Sequence, residues 1–140
     1  MTTATQINVT LPNGPGMLAK LCDLLRSADV NIEALFCTEG TDHSVLHLVV
    51  DDTETAKIML QPIGDVTTTT LLAFRLKNKP GAIAQVARMC AGAQLNIAEI
   101  YSTTSGKEAT VYVSLDNVEK GLEVFGKANA STLPALAMAR

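Results

Sequence analysis

Basic runs, long apolar stretches and paired cysteines are all missing from this chain of 140 residues. With 14 acidic against 11 basic residues and a formal net charge of -3, it lacks the lysine and arginine clusters that displace phosphate counterions. Aromatic residues make up 4% of the chain, and Phe36 and Tyr101 stand alone rather than within an RNA-stacking strand motif. Nucleic-acid binding is therefore not expected. No apolar run approaches the roughly 18 residues of a membrane span, and the opening "MTTATQ" has neither the basic nor the apolar region of a signal peptide. These absences lead us to expect a cytoplasmic protein without a membrane partner. The three cysteines, Cys22, Cys37 and Cys90, form no CxxC pair and read as reduced thiols.

What the chain does have, it has twice. Shifting the sequence by 65 places aligns residues 11–35 with 76–100 at 8 identities in 25: Leu11, Asn13, Pro15, Gly16, Ala19, Ala28, Asn31 and Ile32 all recur. Without a gap, the same offset pairs Phe36 with Tyr101, Thr38 with Thr103, Asp51 with Asp116 and Glu54 with Glu119. This is a tandem duplication.

Each copy reads in the same order. Ile7, Val9 and Leu11 alternate as in a half-buried strand. After a Pro-Gly loop, Leu18, Leu21, Leu25 and Ala28 in the first copy, and Ile83, Val86, Cys90 and Ala93 in the second, predict a helix. Two β-rich runs follow around a turn at Gly40-Thr41-Asp42, and Asp51 or Asp52 then caps a short second helix. The order β-α-β-β-α-β is that of a ferredoxin-like split unit. The expected fold is α+β, with two such units at 1–70 and 71–140, antiparallel sheets and helices on one face. No turn residue interrupts Val66 to Lys77, so a single long strand shared between the units is expected there. A closing strand of the second unit is expected near residues 130–135, weakened by Pro134, with a loose tail.

The loops hold the candidate chemistry. Pro15 and Pro80 are placed near the first helical position, where a missing N–H costs nothing. Gly16 and Gly81 let a ligand approach the helix start. The free N–H groups of Met17 and Leu18, and of Ala82 and Ile83, would face a small carboxylate with the helix dipole behind them. Asn13 and Asn31, like Asn78 and Asn96, are 18 residues apart and fall at opposite ends of their unit. Their amides can hold an ammonium group and a carboxylate together. The same residues also suit a plain strand-to-helix turn and, for Asn31 and Asn96, a left-handed turn.

The pattern LxNxPGxLAxLxxxxxxAxVNIxxL, present at Leu11 to Leu35 and with related residues at Leu76 to Ile100, resembles the ACT domain, a small regulatory module that binds amino acids. The resemblance covers nearly the whole chain as two modules with no enzyme attached. It implies a non-catalytic regulator that binds a free amino acid at an interface between modules, acts on an enzyme of amino-acid metabolism, pairs as a homodimer and needs no cofactor. Carried over by position, the ligand contacts are Asn13, Gly14, Pro15, Gly16, Met17, Leu18, Asn31 and Ile32 in the first copy. In the second they are Asn78, Lys79, Pro80, Gly81, Ala82, Ile83, Asn96 and Ile97. Gly14 against Lys79 is a departure that leaves open whether both loops bind.

Other readings are weaker. His43 and His47 lie about 13 Å apart along a strand, too far to share a metal ion. Cys22 has no evident base beside it. An acylphosphatase-like hydrolase would want an arginine in its anion loop, whereas Arg26 and Arg88 lie well along their helices. An assembly module whose loops only pack remains the alternative from another class.

Overall fold

In a computed structural model, residues 2–128 and 137–138 are described, with 127, 128, 137 and 138 described by their backbone alone. The chain divides into two compact units, Thr5–Thr69 and Thr70–Arg140 together with Met1–Ala4. They are called here the first and second unit.

The first unit begins with strand β1 (Thr2–Pro12), most of which belongs to it, followed by helix α1 (Met17–Ser27) and strands β2 (Ile32–Glu39) and β3 (His43–Val50). Helix α2 (Thr53–Leu60) and a single turn of 3-10 helix, Gln61–Ile63, lead into strand β4 (Asp65–Lys77). Its sheet runs β2-β3-β1, with the start of β4 next to β1. Ile7 pairs with Leu48 and Leu35 pairs with the same Leu48 from the other side, both antiparallel. Because side chains alternate across a strand, Ile7, Val9, Leu11, Leu46, Leu48 and Val50 share one sheet face. Leu21 and Leu25 of α1 and Ala56 and Leu60 of α2 close over it.

The second unit takes the remainder of β4, then helix α3 (Ala82–Gly92), strands β5 (Ile97–Ser105) and β6 (Glu108–Leu115), and helix α4 (Val118–Ala128). Leu72 pairs with Val113 and Ile100 with Val113, the first unit's register displaced by 65. Even the irregularity in the edge strand is repeated, between Ile32 and Ala34 and between Ile97 and Glu99. The uninterrupted run from Val66 to Lys77 does form one strand of 13 residues, passing from the first unit into the second. The closing strand expected near 130–135 lies outside the described residues. A two-residue strand β7, Ala137–Met138, pairs with β4 at Phe74 and Arg75. Each unit is thus a ferredoxin-like β-α-β-β-α-β sheet with its helices on one face.

Helix ends follow their local chemistry. Asp52 caps α2, its carboxylate accepting from the Thr55 N–H at 3.2 Å and the Thr55 hydroxyl at 2.7 Å. Asn117 does the same for α4 through the Lys120 N–H at 3.0 Å. Helix α1 ends with Asp29 at φ 58, and α3 with Gln94 at φ 56. There the N–H of Val30 returns to the Leu25 carbonyl at 2.9 Å, and that of Leu95 to Cys90 at 2.8 Å. The left-handed residue is therefore two places before each asparagine, not the asparagine itself.

Candidate functional site

The loop from β1 to α1 is held by the β2–β3 hairpin. The Asn13 N–H donates to the Asp42 carbonyl at 3.1 Å, and its side-chain amide donates to the Gly40 carbonyl at 3.1 Å. The Ser44 hydroxyl donates to the Asn13 side-chain oxygen at 2.5 Å. Asn78 repeats the arrangement, its N–H donating to the Lys107 carbonyl at 2.8 Å and its side chain to the Gly106 carbonyl at 3.1 Å. Ala109 takes the place of Ser44 in the second unit and supplies no hydroxyl. Both asparagines thus fasten loop to hairpin before any ligand is considered.

Gly16 and Gly81 are the residues before the first helical position, each at φ 87. That left-handed backbone favours glycine over every residue with a Cβ; the space a Cβ would fill is open at both. Pro15 and Pro80 therefore precede the helix by two residues rather than opening it. Neither helix has a side-chain cap or an acidic residue in its first turn. The first-turn N–H groups of α1 have no side-chain partner and carry the positive end of the dipole. In α3, the Ala82 N–H donates to the Lys79 carbonyl at 3.3 Å.

A cavity of about 170 Å³ lies beside the first unit's loop. Leu11, Met17, Leu18, Cys37 and Leu46 give it apolar walls, with Asn13, Gly14 and Ser44 at the polar side. Of these, Cys37, Ser44 and Leu46 come from the hairpin and were not anticipated from the sequence. Only the β2–β3 register, which sets Cys37 opposite Leu46 and Glu39 opposite Ser44, brings them to the loop. Leu18 and its counterpart Ile83 are 46% and 41% exposed, so they do not belong to the buried helix face expected of them. Met17, Leu21, Leu25 and Ala28 make that face in α1.

Asn31-Ile32 and Asn96-Ile97 lie at the far end of each unit. The Asn31 N–H donates to the Asp51 carboxylate at 2.9 Å and the Asp51 N–H returns to the Asn31 carbonyl at 3.1 Å. Asn96 and Asp116 repeat this at 3.1 Å for both bonds. Ser44 in β3 and Asp51 just past its end are seven residue steps apart, about 23 Å along an extended chain. Within one unit, Asn13 and Asn31 are not brought together, nor are Asn78 and Asn96. A second, polar groove of about 450 Å³ opens at the Asn31 end, lined in part by Arg26, Asp29, Asn31 and Asp51.

Cys90, Tyr101 and His47 lie outside the two loops. Burial pushes the Cys90 thiol up, and burial, then Glu99 and Tyr112, pushes the Tyr101 hydroxyl above its usual range. His47 stacks on Phe36 with ring centroids 4.3 Å apart and is held by Thr38 and Asn8. Among the described residues no group of three or more His, Cys, Asp or Glu is placed to hold a metal ion, and no helix is long and apolar enough to cross a membrane.

Two βαββαβ units, each with a hairpin-held Pro-Gly loop at an uncapped helix start, define a tandem of small loop-bearing modules. The chain belongs to the ACT domain pair family, whose model matches residues 1–134. It is similar to the solved structure of protein BT0572 from Bacteroides thetaiotaomicron, with a TM-score of 0.87 and 25% identity over 98% of this chain and 92% of that one. It also shares its fold with the regulatory subunit of aspartate kinase from Thermus thermophilus in ligand-free form, at TM-score 0.64 and 19% identity over 91% of this chain and 92% of that one. The corresponding subunit from Thermus flavus gives 0.61 and 19% over 91% and 97%. A search of curated proteins returned no match.

Proposed function

We propose that the chain is a non-catalytic regulator in which residues 1–70 and 71–140 act as ACT modules and bind a free amino acid at the β1–α1 type of loop. The observation that carries this reading is an uncapped helix start beside a cavity. The N–H groups behind Gly16 suit a carboxylate, and the adjoining space accepts the rest of a small molecule. Binding would favour one packing of the modules over another, and an enzyme of amino-acid metabolism would respond to that packing. Regulatory subunits of aspartate kinase that share this fold give that partner class its support. Homodimerisation and a cytoplasmic setting belong to the same proposal.

A second reading, an assembly module without ligand, draws on the exposed Leu35 and Ile100 at equivalent places on the edge strands β2 and β5. Thermal unfolding of the purified protein against each of the twenty amino acids separates the two. A ligand at 100 times its dissociation constant adds about 2.7 kcal/mol, several degrees for a protein of this size. A shift with one or two amino acids is the expected result. No shift with any of them overturns the sensor and leaves the assembly module.

A further inference from the structure

We propose that the two loops are not equivalent: the first unit's loop is the amino-acid site, and it selects a small ligand with an uncharged, apolar side chain. This deepens the regulatory reading above and rests on it.

The argument begins with the walls of the first unit's cavity. Its interior surface comes from Leu11, Met17, Leu18, Cys37 and Leu46. Its nearest polar side chains, Asn13 and Ser44, are already bonded to one another at 2.5 Å. No acidic or basic side chain lines it. A charged ligand side chain placed there would lose its hydration without gaining a partner, whereas an apolar one gains from leaving water. The volume of about 170 Å³ suits a small side chain and its α-carbon. The ligand carboxylate is directed to the open first turn of α1, where Gly16 keeps the approach free.

The same positions in the second unit have changed chemistry. Lys79 stands for Gly14, Ala82 for Met17, Ser102 for Cys37 and Ala109 for Ser44. Long apolar wall and polar staple are both lost, a flexible cation enters the loop, and the Ala82 N–H is already bonded within it. The second loop thereby keeps the backbone of a site and part of its apolar lining, Leu76, Ile83 and Val111, without the Met17 and Cys37 walls or the Ser44 staple.

Leu18 and Ile83 provide a matched test, since each is exposed at the same place on its helix and an aspartate there is compatible with folding. The whole chain, its Leu18→Asp variant and its Ile83→Asp variant would be titrated calorimetrically with leucine, valine, methionine, glycine, aspartate and lysine. The expected result is binding of one or more of leucine, valine and methionine, weakened at least tenfold by Leu18→Asp and less than twofold by Ile83→Asp. Circular dichroism and melting of both variants provide the folding check. Binding of aspartate or lysine alone overturns the apolar class while leaving the sensor reading intact. Sensitivity to Ile83→Asp, alone or with Leu18→Asp, overturns the assignment to the first unit. Binding that neither substitution weakens overturns the loop as the site, and absence of any binding overturns the sensor as well.

Discussion

The two units share the registers of their hairpins and of the strand beside each hairpin, but almost none of their core residues. Ile7 corresponds to Leu72, Val9 to Phe74, Leu25 to Cys90, Leu46 to Val111, Val50 to Leu115 and Leu60 to Phe125; among the paired buried positions, only Leu11 and Leu76 agree. Where the second unit gains volume, with Phe74 and Phe125 stacked at 5.2 Å, it gives volume up nearby through Val86, Cys90, Val111 and Val113. A core of this kind tolerates exchange when pattern and total volume are kept. The opposite sheet faces diverge further. The first unit sets Gln6, Asn8, Thr38 and His47 there in one hydrogen-bonded group, and the second sets Leu71, Ala73, Thr103 and Tyr112 at the same positions. Duplication thus preserved the helix-covered side in character and changed the other in kind.

Compensation of volume is most exposed at one position. Ala56, wholly buried in α2, becomes Gly121 in α4, where a Cβ would lie 2.5 Å from Leu115 Cδ1 and 3.0 Å from Leu72 Cδ1. Gly121→Ala is expected to lower stability by up to about 2 kcal/mol, because overpacking of roughly 1–3 kcal/mol is offset in part by the helix-propensity gain of about 1 kcal/mol. Adding Leu115→Val, the first unit's residue at that place, should restore most of the loss in urea unfolding. If Gly121→Ala alone stabilises, Leu115 yields freely and the two cores are not matched in this way.

The polar face gives an effect of similar size. Asn8 accepts from Gln6 Nε2 at 2.7 Å, lies 2.8 Å from His47 Nδ1, and donates to Thr69 at 3.0 Å. A proton on Nδ1 lets His47 donate to Asn8 and accept from Thr38 through Nε2. Gln6 is wholly buried, so Asn8→Ala removes one of its acceptors and should cost about 1–2 kcal/mol. Joining it with Gln6→Leu reproduces the second unit's Leu71 and Ala73, and part of the loss should return. An Asn8→Ala chain as stable as the parent would mean that this hydrogen-bonded group contributes little.

Strand and helix order, the 65-residue offset and the long shared strand were legible because each depends on a periodicity carried by neighbouring residues. The loop chemistry was legible only in part. Pro-Gly announced the helix start, but the positive φ of Gly16 and Gly81 comes from how the loop meets its helix. Leu18 and Ile83 looked like core at helical spacing, yet one residue of helical rotation, 100°, separates them from the partly buried Met17 and the buried Ala82. Asn13 read as a ligand contact since its amide can bind either pole of an amino acid. Its first partners, the Gly40 carbonyl and Ser44, are 27 and 31 residues away and appear only once the hairpin register is fixed. Cys37 and Leu46 were hidden for the same reason: no local pattern tells which cross-strand pair will face a loop.

The smallest difference between the units is a single titrating atom group at equivalent helix caps. Asp52 caps α2 as a carboxylate, and Asn117 caps α4 as an amide. The Thr55 hydroxyl, then the Thr55 N–H, hold the Asp52 carboxyl below the usual aspartate range. A group with a lowered folded-state pKa binds protons less readily when folded than when unfolded. Its contribution is therefore complete above the unfolded value of about 3.9 and fades as pH falls through the folded one. Asn117 has no such dependence. Asp52→Asn should accordingly keep the cap while removing this share of the acid sensitivity. Unfolding midpoints of parent and variant should differ at pH 6 and converge on acidification toward pH 3. Parallel curves throughout would place the chain's acid sensitivity elsewhere and make the two caps equivalent after all.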